Sequence, residues 1–146
     1  MTVAERPTNE ILNEIKHSNE ANQFMNKMAT SFVHSDPAEY LAELLKIKQV
    51  TKSLVIRRAN LTPPTGYQYF DGKRRPSRAR MIALGFGFQL NLTELNTMLK
   101  RTGYAELYAK DEWDALVIFA LVQRFDLNHA DELLFQYGLG TITTDN

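Results

Sequence analysis

The chain contains no cysteine, which excludes disulfide bonds, thiolate nucleophiles and cysteine-ligated metal sites. Its seven glycines and five prolines among 146 residues are too few for a low-complexity chain. The longest apolar run, residues 115–122, is too short for a bilayer core of about 30 Å, and the N-terminal sequence predicts no secretion signal. Together these features predict a globular cytoplasmic protein without a membrane segment.

Candidate catalytic and metal-ligating groups are also scarce. His17, His34 and His129 are far apart in the sequence, and none has a second potential ligand at metal-binding spacing. Gly85 and Gly87 lack the third glycine and the preceding strand of a dinucleotide-binding loop, and no serine lies in a nucleophile-elbow sequence. The sequence therefore predicts no enzymatic activity, no cofactor and no metal site.

The net charge of zero conceals an uneven distribution of charge along the chain. Residues 46–101 hold twelve of the seventeen basic residues and only two acidic ones, which gives this segment a net charge of +10. Residues 1–45 and 102–146 carry net charges of −4 and −6. Such a basic segment is typical of proteins that neutralise a nucleic-acid phosphate backbone. The alternative is that the acidic ends fold over the basic middle and pair with it internally.

Helix signals recur along the whole chain and predict an all-α fold of about eight helices. Capping residues followed three positions later by an acid lie at Asp36, Asn91, Asp111 and Asn128. Thr8 and Ser18 predict two further helices near the N-terminus. Helix ends are expected near Gly85, Gly87, Gly103 and Gly138. Residues 115–122 are apolar around the whole helix, which indicates either core burial or a surface shared with a second copy.

Residues 51–77 contain two short helices joined by a tight turn. Thr51 caps the first helix, and Asn60 occupies the turn because asparagine tolerates the left-handed backbone conformation. Thr62 caps the second helix, whose first turn holds two prolines and which runs to about Phe70. A basic loop follows it. This arrangement predicts a helix-turn-helix, in which the second helix enters the major groove of DNA.

The same block resembles the XRE, or lambda-repressor-like, superfamily. It has the opening threonine, a turn residue nine positions later, a threonine cap two beyond that, and the ending GKRRPS at residues 72–77. Residues 67–78, 107–108 and 114–119 are similar to motifs of small Gram-positive bacterial regulators. The resemblance implies a five-helix domain over about residues 38–90.

The resemblance also implies a domain organisation and a function. Residues 1–34 would form an N-terminal helical segment, 35–90 the helix-turn-helix domain, and 91–146 a helical subdomain for dimerisation or packing. The protein would be a sequence-specific DNA-binding transcriptional repressor of the bacterial cytoplasm, associated with the nucleoid when bound. Its partners would be double-stranded DNA and a second copy, paired through helices after residue 91.

Site residues follow from the resemblance position by position. Base edges would be contacted by Pro64, Thr65, Tyr67 and Gln68. Gln68 is the main candidate for direct readout, since its amide can pair with adenine through two hydrogen bonds. Phosphates would be held by Lys52, Thr62, Lys73, Arg74, Arg75 and Arg78. Arg57 and Arg58 are expected on a solvated helix face rather than on DNA.

Two further functions remain open from the sequence. Pro63 and Pro64 stand where many relatives have polar base-reading residues, and Gly66 stands where an apolar anchor is usual, so Tyr69 and Phe70 would have to anchor the helix. These departures favour a protein-interaction module, such as an antitoxin or an adaptor, as the alternative. A third hypothesis keeps DNA binding and adds a peptide or small ligand held by the helices after residue 91.

Overall fold

The computed structural model describes residues 36–144, and every regular element within that range is helical. The elements are α1 (Pro37–Lys48), α2 (Lys52–Arg58), α3 (Pro63–Asp71), α4 (Arg78–Gly87), α5 (Leu92–Arg101), α6 (Glu112–Val122), α7 (Leu127–Gln136) and a short 3-10 helix (Ile142–Thr144). The all-α prediction is therefore confirmed for this range. The helices predicted from Thr8 and Ser18, and the segment 1–34, lie outside the described residues.

Side-chain caps fix where most of the helices begin. Asp36 accepts a hydrogen bond from the Glu39 backbone N–H at 3.0 Å, ahead of α1. At the start of α5, Asn91 and Glu94 form a reciprocal capping box with bonds of 2.8 and 3.0 Å. Asp111 caps α6 through the Asp114 backbone N–H at 2.9 Å. These three predicted starts are confirmed, because each depends only on neighbours within one turn.

The predicted start of α7 at Asn128 is wrong. Asp126 is the cap, and its carboxylate accepts from the His129 backbone N–H at 2.9 Å. This register buries Leu127, which is 2% exposed, at the first helical position. Asn128 then lies within the helix, where its Oδ1 accepts a hydrogen bond from Asn60 Nδ2 at 2.8 Å. Burial of an apolar residue thus selects between two candidate caps.

Of the four predicted glycine stops, the one at Gly85 is wrong. Gly103 and Gly138 do follow α5 and α7, with φ angles of +93° and +73°. However, α4 continues through Gly85 and ends at Gly87. A β-carbon at Gly85 would lie 2.2 Å from Leu95 Cδ1, and one at Gly87 would lie 2.6 Å from the Val55 carbonyl oxygen. Gly85 therefore serves close helix packing rather than helix termination, and Gly87 lies at the helix end and also allows close packing.

Helix α4 is the centre of the core. All residues from Met81 to Gly87 are buried, and the helix contacts α2, α5, α7 and the 3-10 helix. Within the compact unit to which residues 36–144 belong, the same helix thus supports the predicted helix-turn-helix segment and the C-terminal helices. The predicted five-helix domain at about residues 38–90 corresponds to only four helices, α1 to α4, because α5 begins at Leu92.

Helix α6 is buried on one face only. Val117, Ala120 and Leu121 are buried against the core, while Phe119 and Val122 are 46% and 60% exposed. In the single chain, one face of this apolar helix is therefore buried in the core. Phe119 and Val122 form an outward apolar strip on the other face. None of the helices described has both the length and the apolar character of a membrane span.

Candidate nucleic-acid interface

A four-residue turn joins α2 to α3. Ala59 ends α2, and Asn60 adopts the left-handed conformation with φ +56°, as its position predicted. The Leu61 backbone N–H donates to the Ile56 carbonyl at 3.2 Å and closes the turn. Thr62 then caps α3 by accepting from the Thr65 backbone N–H at 3.4 Å. The local geometry thus matches the predicted cap, turn and cap.

Helix α3 is anchored on one side by its smallest and largest residues. A β-carbon at Gly66 would lie 2.5 Å from Ile56 Cγ1, so the glycine lets α3 lie directly against α2. Tyr69 and Phe70 are 3% and 7% exposed, which confirms the expectation that they anchor this helix. The Phe70 ring meets the Phe88 ring edge to face at 6.3 Å between centroids. Gly66 therefore contributes to the packing of α3 on α2 because it has no side chain.

The opposite side of α3 faces solvent. Pro64, Tyr67 and Gln68 are exposed, and their spacing of three and four residues places them on one stripe of the helix. Asp71 continues the same stripe one turn later and is also exposed. Thr65 lies beside this stripe and is half-buried. Of the predicted base-contacting residues, three are thus fully presented and one is partly covered.

Three cations cluster at the C-terminal end of α3. Lys52 Nζ lies 4.0 Å from Asp71 Oδ1, and the Arg74 guanidinium lies 6.0 Å from the centre of the Tyr69 ring. The backbone N–H groups of Lys73 and Arg74 donate to the Gln68 carbonyl at 3.0 and 3.3 Å, so the basic loop folds back over the helix end. All three cations are exposed. We call Lys52, Lys73 and Arg74 the α3-end cluster.

Arg75 belongs to the same exposed loop but reaches towards α5. Its Nη2 donates to the Thr102 carbonyl at 2.9 Å, and its guanidinium lies 4.9 Å from the centre of the Tyr104 ring. A guanidinium carries five N–H donors, so these contacts orient the group without saturating it. Arg75 is therefore positioned beside the α3-end cluster with donors still available.

Arg78 is occupied within the protein. Its guanidinium forms two hydrogen bonds with the Asp114 carboxylate, at 3.1 and 2.9 Å, and two more with the carbonyls of Ala105 and Glu106, at 3.0 and 3.2 Å. Asp114 is only 5% exposed and also accepts from the Tyr108 backbone N–H at 2.9 Å. These contacts join α4 to α6 and to the loop between α5 and α6, so Arg78 is better explained as a structural residue than as a phosphate contact.

From the sequence, Asp114 is explained only as the acid three positions after the Asp111 cap, and its role as the partner of Arg78 is missed. The position of Asp114 relative to the apolar residues of α6 could have revealed this role. Val117 and Leu121 lie three and seven residues after Asp114, so the acid lies on the same buried face of the helix. A carboxylate on a buried face requires a cationic partner. Sequence alone does not say which of the twelve cations in residues 46–101 supplies it.

Internal pairing uses few of the basic residues. In the described part, two ion pairs join residues 46–101 to acids outside that segment: Arg78 with Asp114, and Lys46 with Glu43 at 3.6 Å. Lys48 pairs with Glu94 inside the segment at 2.9 Å. Carboxylates between residues 102 and 144 therefore do not cover the α3-end cluster.

Comparison of the chain with family models, with curated proteins and with solved structures finds no match.

Substitution of Asp114 tests the structural role of the Arg78–Asp114 ion pair. We expect Asp114→Ala to lower the free energy of unfolding by about 3 kcal/mol, because it leaves a half-buried guanidinium without its carboxylate. Urea unfolding followed by circular dichroism measures the change. The matched control is Glu112→Ala, an exposed acid in the same turn, which should change stability by less than about 0.5 kcal/mol. Equal stability of the two variants would contradict the structural role of Arg78.

Proposed function

We propose that α2, the turn and α3 form a helix-turn-helix of the XRE, or lambda-repressor-like, kind, and that the protein is a sequence-specific DNA-binding transcriptional repressor of the bacterial cytoplasm. The observation that carries this proposal is the two-sidedness of α3. Gly66, Tyr69 and Phe70 fix one side to the core, while Tyr67 and Gln68 are presented to solvent on the other. A short, anchored and exposed helix is what entry into the major groove requires.

The proposed phosphate contacts are the α3-end cluster and Arg75. These cations flank the C-terminal end of the exposed helix, where neighbouring phosphates would lie if α3 entered the groove. The contact between Lys52 and Asp71 is long at 4.0 Å and solvent-exposed, so exchanging it for a phosphate costs little. Thr62 can add a hydroxyl contact, since its oxygen already faces the start of α3 as the helix cap. Arg78 is left out of this set.

Direct readout is assigned to Gln68. Its side chain is exposed on the outward stripe of α3, and an amide can donate to N7 and accept from the N6 amino group of adenine in a two-bond pair. Tyr67 and Pro64 supply apolar contact area on the same stripe. Thr65 is half-buried, so its contribution is limited to the part of its side chain that reaches the surface.

The second candidate function is a protein-interaction module, such as an antitoxin or an adaptor. It is favoured by the composition of the outward stripe, where Pro64 and Tyr67 are mainly apolar and Asp71 is acidic. A carboxylate on the proposed groove-facing stripe repels phosphates unless Lys52 neutralises it. The two functions make opposite predictions for binding to random duplex DNA.

Salt dependence of DNA binding separates these functions. With four phosphate contacts in each bound protomer, the affinity of a single protomer for random duplex DNA should fall about a hundredfold between about 50 and 200 mM salt. The Lys73→Ala/Arg74→Ala variant should bind all sequences more weakly, with a logarithmic salt slope smaller by about 2 per protomer. Fluorescence anisotropy measures both effects.

The control for this experiment is Lys100→Ala/Lys110→Ala. It removes the same charge from exposed positions on α5 and on the loop after it. This control should retain a salt slope close to that of the unaltered protein. Absence of binding to duplex DNA even at low salt would reject the regulator and favour the protein-interaction module.

Base readout is tested by Gln68→Ala. Loss of a two-bond pair should change the preference at one base pair by about 1–3 kcal/mol while leaving the salt slope unchanged. Selection of bound fragments from random DNA, carried out with both proteins, measures the preference. Gln136→Ala, at an exposed position on α7, is the matched control. An identical selected profile for Gln68→Ala would show that this residue does not read bases.

We further propose that the protein acts as a homodimer through the outward strip of α6. Phe119 and Val122 expose apolar area on that helix, and two-fold pairing is the usual way in which helix-turn-helix proteins span two half-sites. Sedimentation at high micromolar concentration should show a dimer for the unaltered protein and a monomer for Val122→Lys. Tyr108→Lys, at a side chain 61% exposed and outside α6, should remain dimeric. A monomeric unaltered protein would remove this proposal.

A further inference from the structure

A cleft of about 540 Å³ lies where the C-terminal ends of α2, α4 and α6 meet the N-terminal end of α7. Its apolar lining includes Phe86, Leu90, Leu121 and Phe125. Its polar rim includes Arg57, Arg58 and Arg124. Among the described lining residues none belongs to α3 or to the basic loop after it, so the cleft is separate from the proposed DNA-binding surface.

The rim arginines have no partner within residues 36–144: none of the three forms an ion pair or a hydrogen bond there through its side chain. Among the described lining residues there is one acid, Asp126, so three cations and one anion give this part of the cleft a net charge of +2. The Asp126 carboxylate already accepts from the backbone N–H of His129 at 2.9 Å and contacts His129 Nδ1 at 3.0 Å. Within residues 36–144, the positive charge of the rim arginines is therefore not neutralised by an ion pair.

The backbone at the cleft is held in an unfavourable conformation. Arg124 has φ +65°, at a position just after α6 where glycine is the favoured residue. Asn60 and Gln89, with φ angles of +56° and +60°, also line the cleft. Left-handed backbone is disfavoured for residues with a β-carbon, and such strain concentrates at functional sites. An arginine at position 124 thus places a guanidinium at the rim where glycine would fit the backbone better.

We propose that this cleft binds a small carboxylate that carries an apolar group. A guanidinium pairs with a carboxylate through two parallel charged hydrogen bonds, and the arginine rim supplies three such groups. The aromatic and aliphatic side chains of the lining give the apolar part of the ligand a surface to pack against. The volume lies within the range of about 300–1,000 Å³ typical of small-molecule sites. The carboxylate can belong to a free acid or to the C-terminus of a short apolar peptide.

Ligand in this cleft would touch the turn between α2 and α3. Asn60 lines the cleft and is at the same time the left-handed residue of that turn. Its side chain donates to Asn128 of α7 at 2.8 Å, which ties the turn to the cleft wall. A bound carboxylate would therefore stabilise one position of α3 relative to α7. This regulatory step rests on the proposed DNA-binding function, whereas ligand binding itself does not.

Isothermal titration calorimetry on the full chain, without DNA, tests the site. Octanoate should bind at least about tenfold more tightly than octanol, octylammonium or acetate, a difference in binding free energy of about 1.4 kcal/mol. Octanol and octylammonium lack the carboxylate, and acetate lacks the apolar chain. An apolar tripeptide with a free C-terminus, compared with its amidated form, distinguishes a peptide source of the carboxylate from a free acid. No octanoate binding, or equal binding of octanol, would overturn the proposal.

The variant Arg124→Gly separates binding from folding. It removes one guanidinium and relieves the left-handed backbone, so octanoate affinity should fall about tenfold while the melting temperature does not decrease. Gln49→Gly is the matched control, because Gln49 has φ +56° after α1 and does not line the cleft. It should retain full octanoate affinity. Unchanged affinity in Arg124→Gly would also overturn the site, whereas an absence of DNA binding would leave the calorimetric result unaffected.

Discussion

The ion pair between Arg78 and Asp114 holds the two halves of the described structure in place. It connects the first residue of α4, the central buried helix, to the start of α6, and its remaining hydrogen bonds fix the loop between α5 and α6. The cleft has walls from α2 and α4 on one side and from α6 and α7 on the other. Its shape, and the direction of the apolar strip on α6, therefore depend on this contact together with the packing of α4 against α7 and the Asn60–Asn128 hydrogen bond.

Local features of the fold could be predicted from the sequence, and features that join distant residues could not. The caps at Thr51 and Thr62 and the left-handed Asn60 follow from side chains acting within one turn. The cap of α7 and the packing role of Gly85 depend on which apolar residues are buried elsewhere. Sequence spacing states that a helix has a buried face, but not which helix covers it.

The candidate site shows the same division. Exposure of Gln68 and burial of Tyr69 follow from helical spacing on a short helix with a known start. The destinations of the cations do not, since a long flexible side chain pairs with whatever the fold brings near. Arg78 forms an ion pair with a buried acid, and Lys73 is exposed to solvent. Arg58 lines a cleft rather than lying on a freely solvated helix face. Some cations of the basic segment therefore form structural contacts, others are exposed on the surface, and others line the cleft.

The absence of a side chain at Gly66 has a mechanical consequence. Ile56 lies directly against the backbone of α3, so no compressible group separates α2 from α3. Their relative tilt is fixed by contact between a side chain and a main chain, and the pair must rotate as one rigid body. Any adjustment of α3 to a partner surface would therefore arise at the outer borders of this pair, such as the Asn60–Asn128 hydrogen bond, and not at the joint between the two helices.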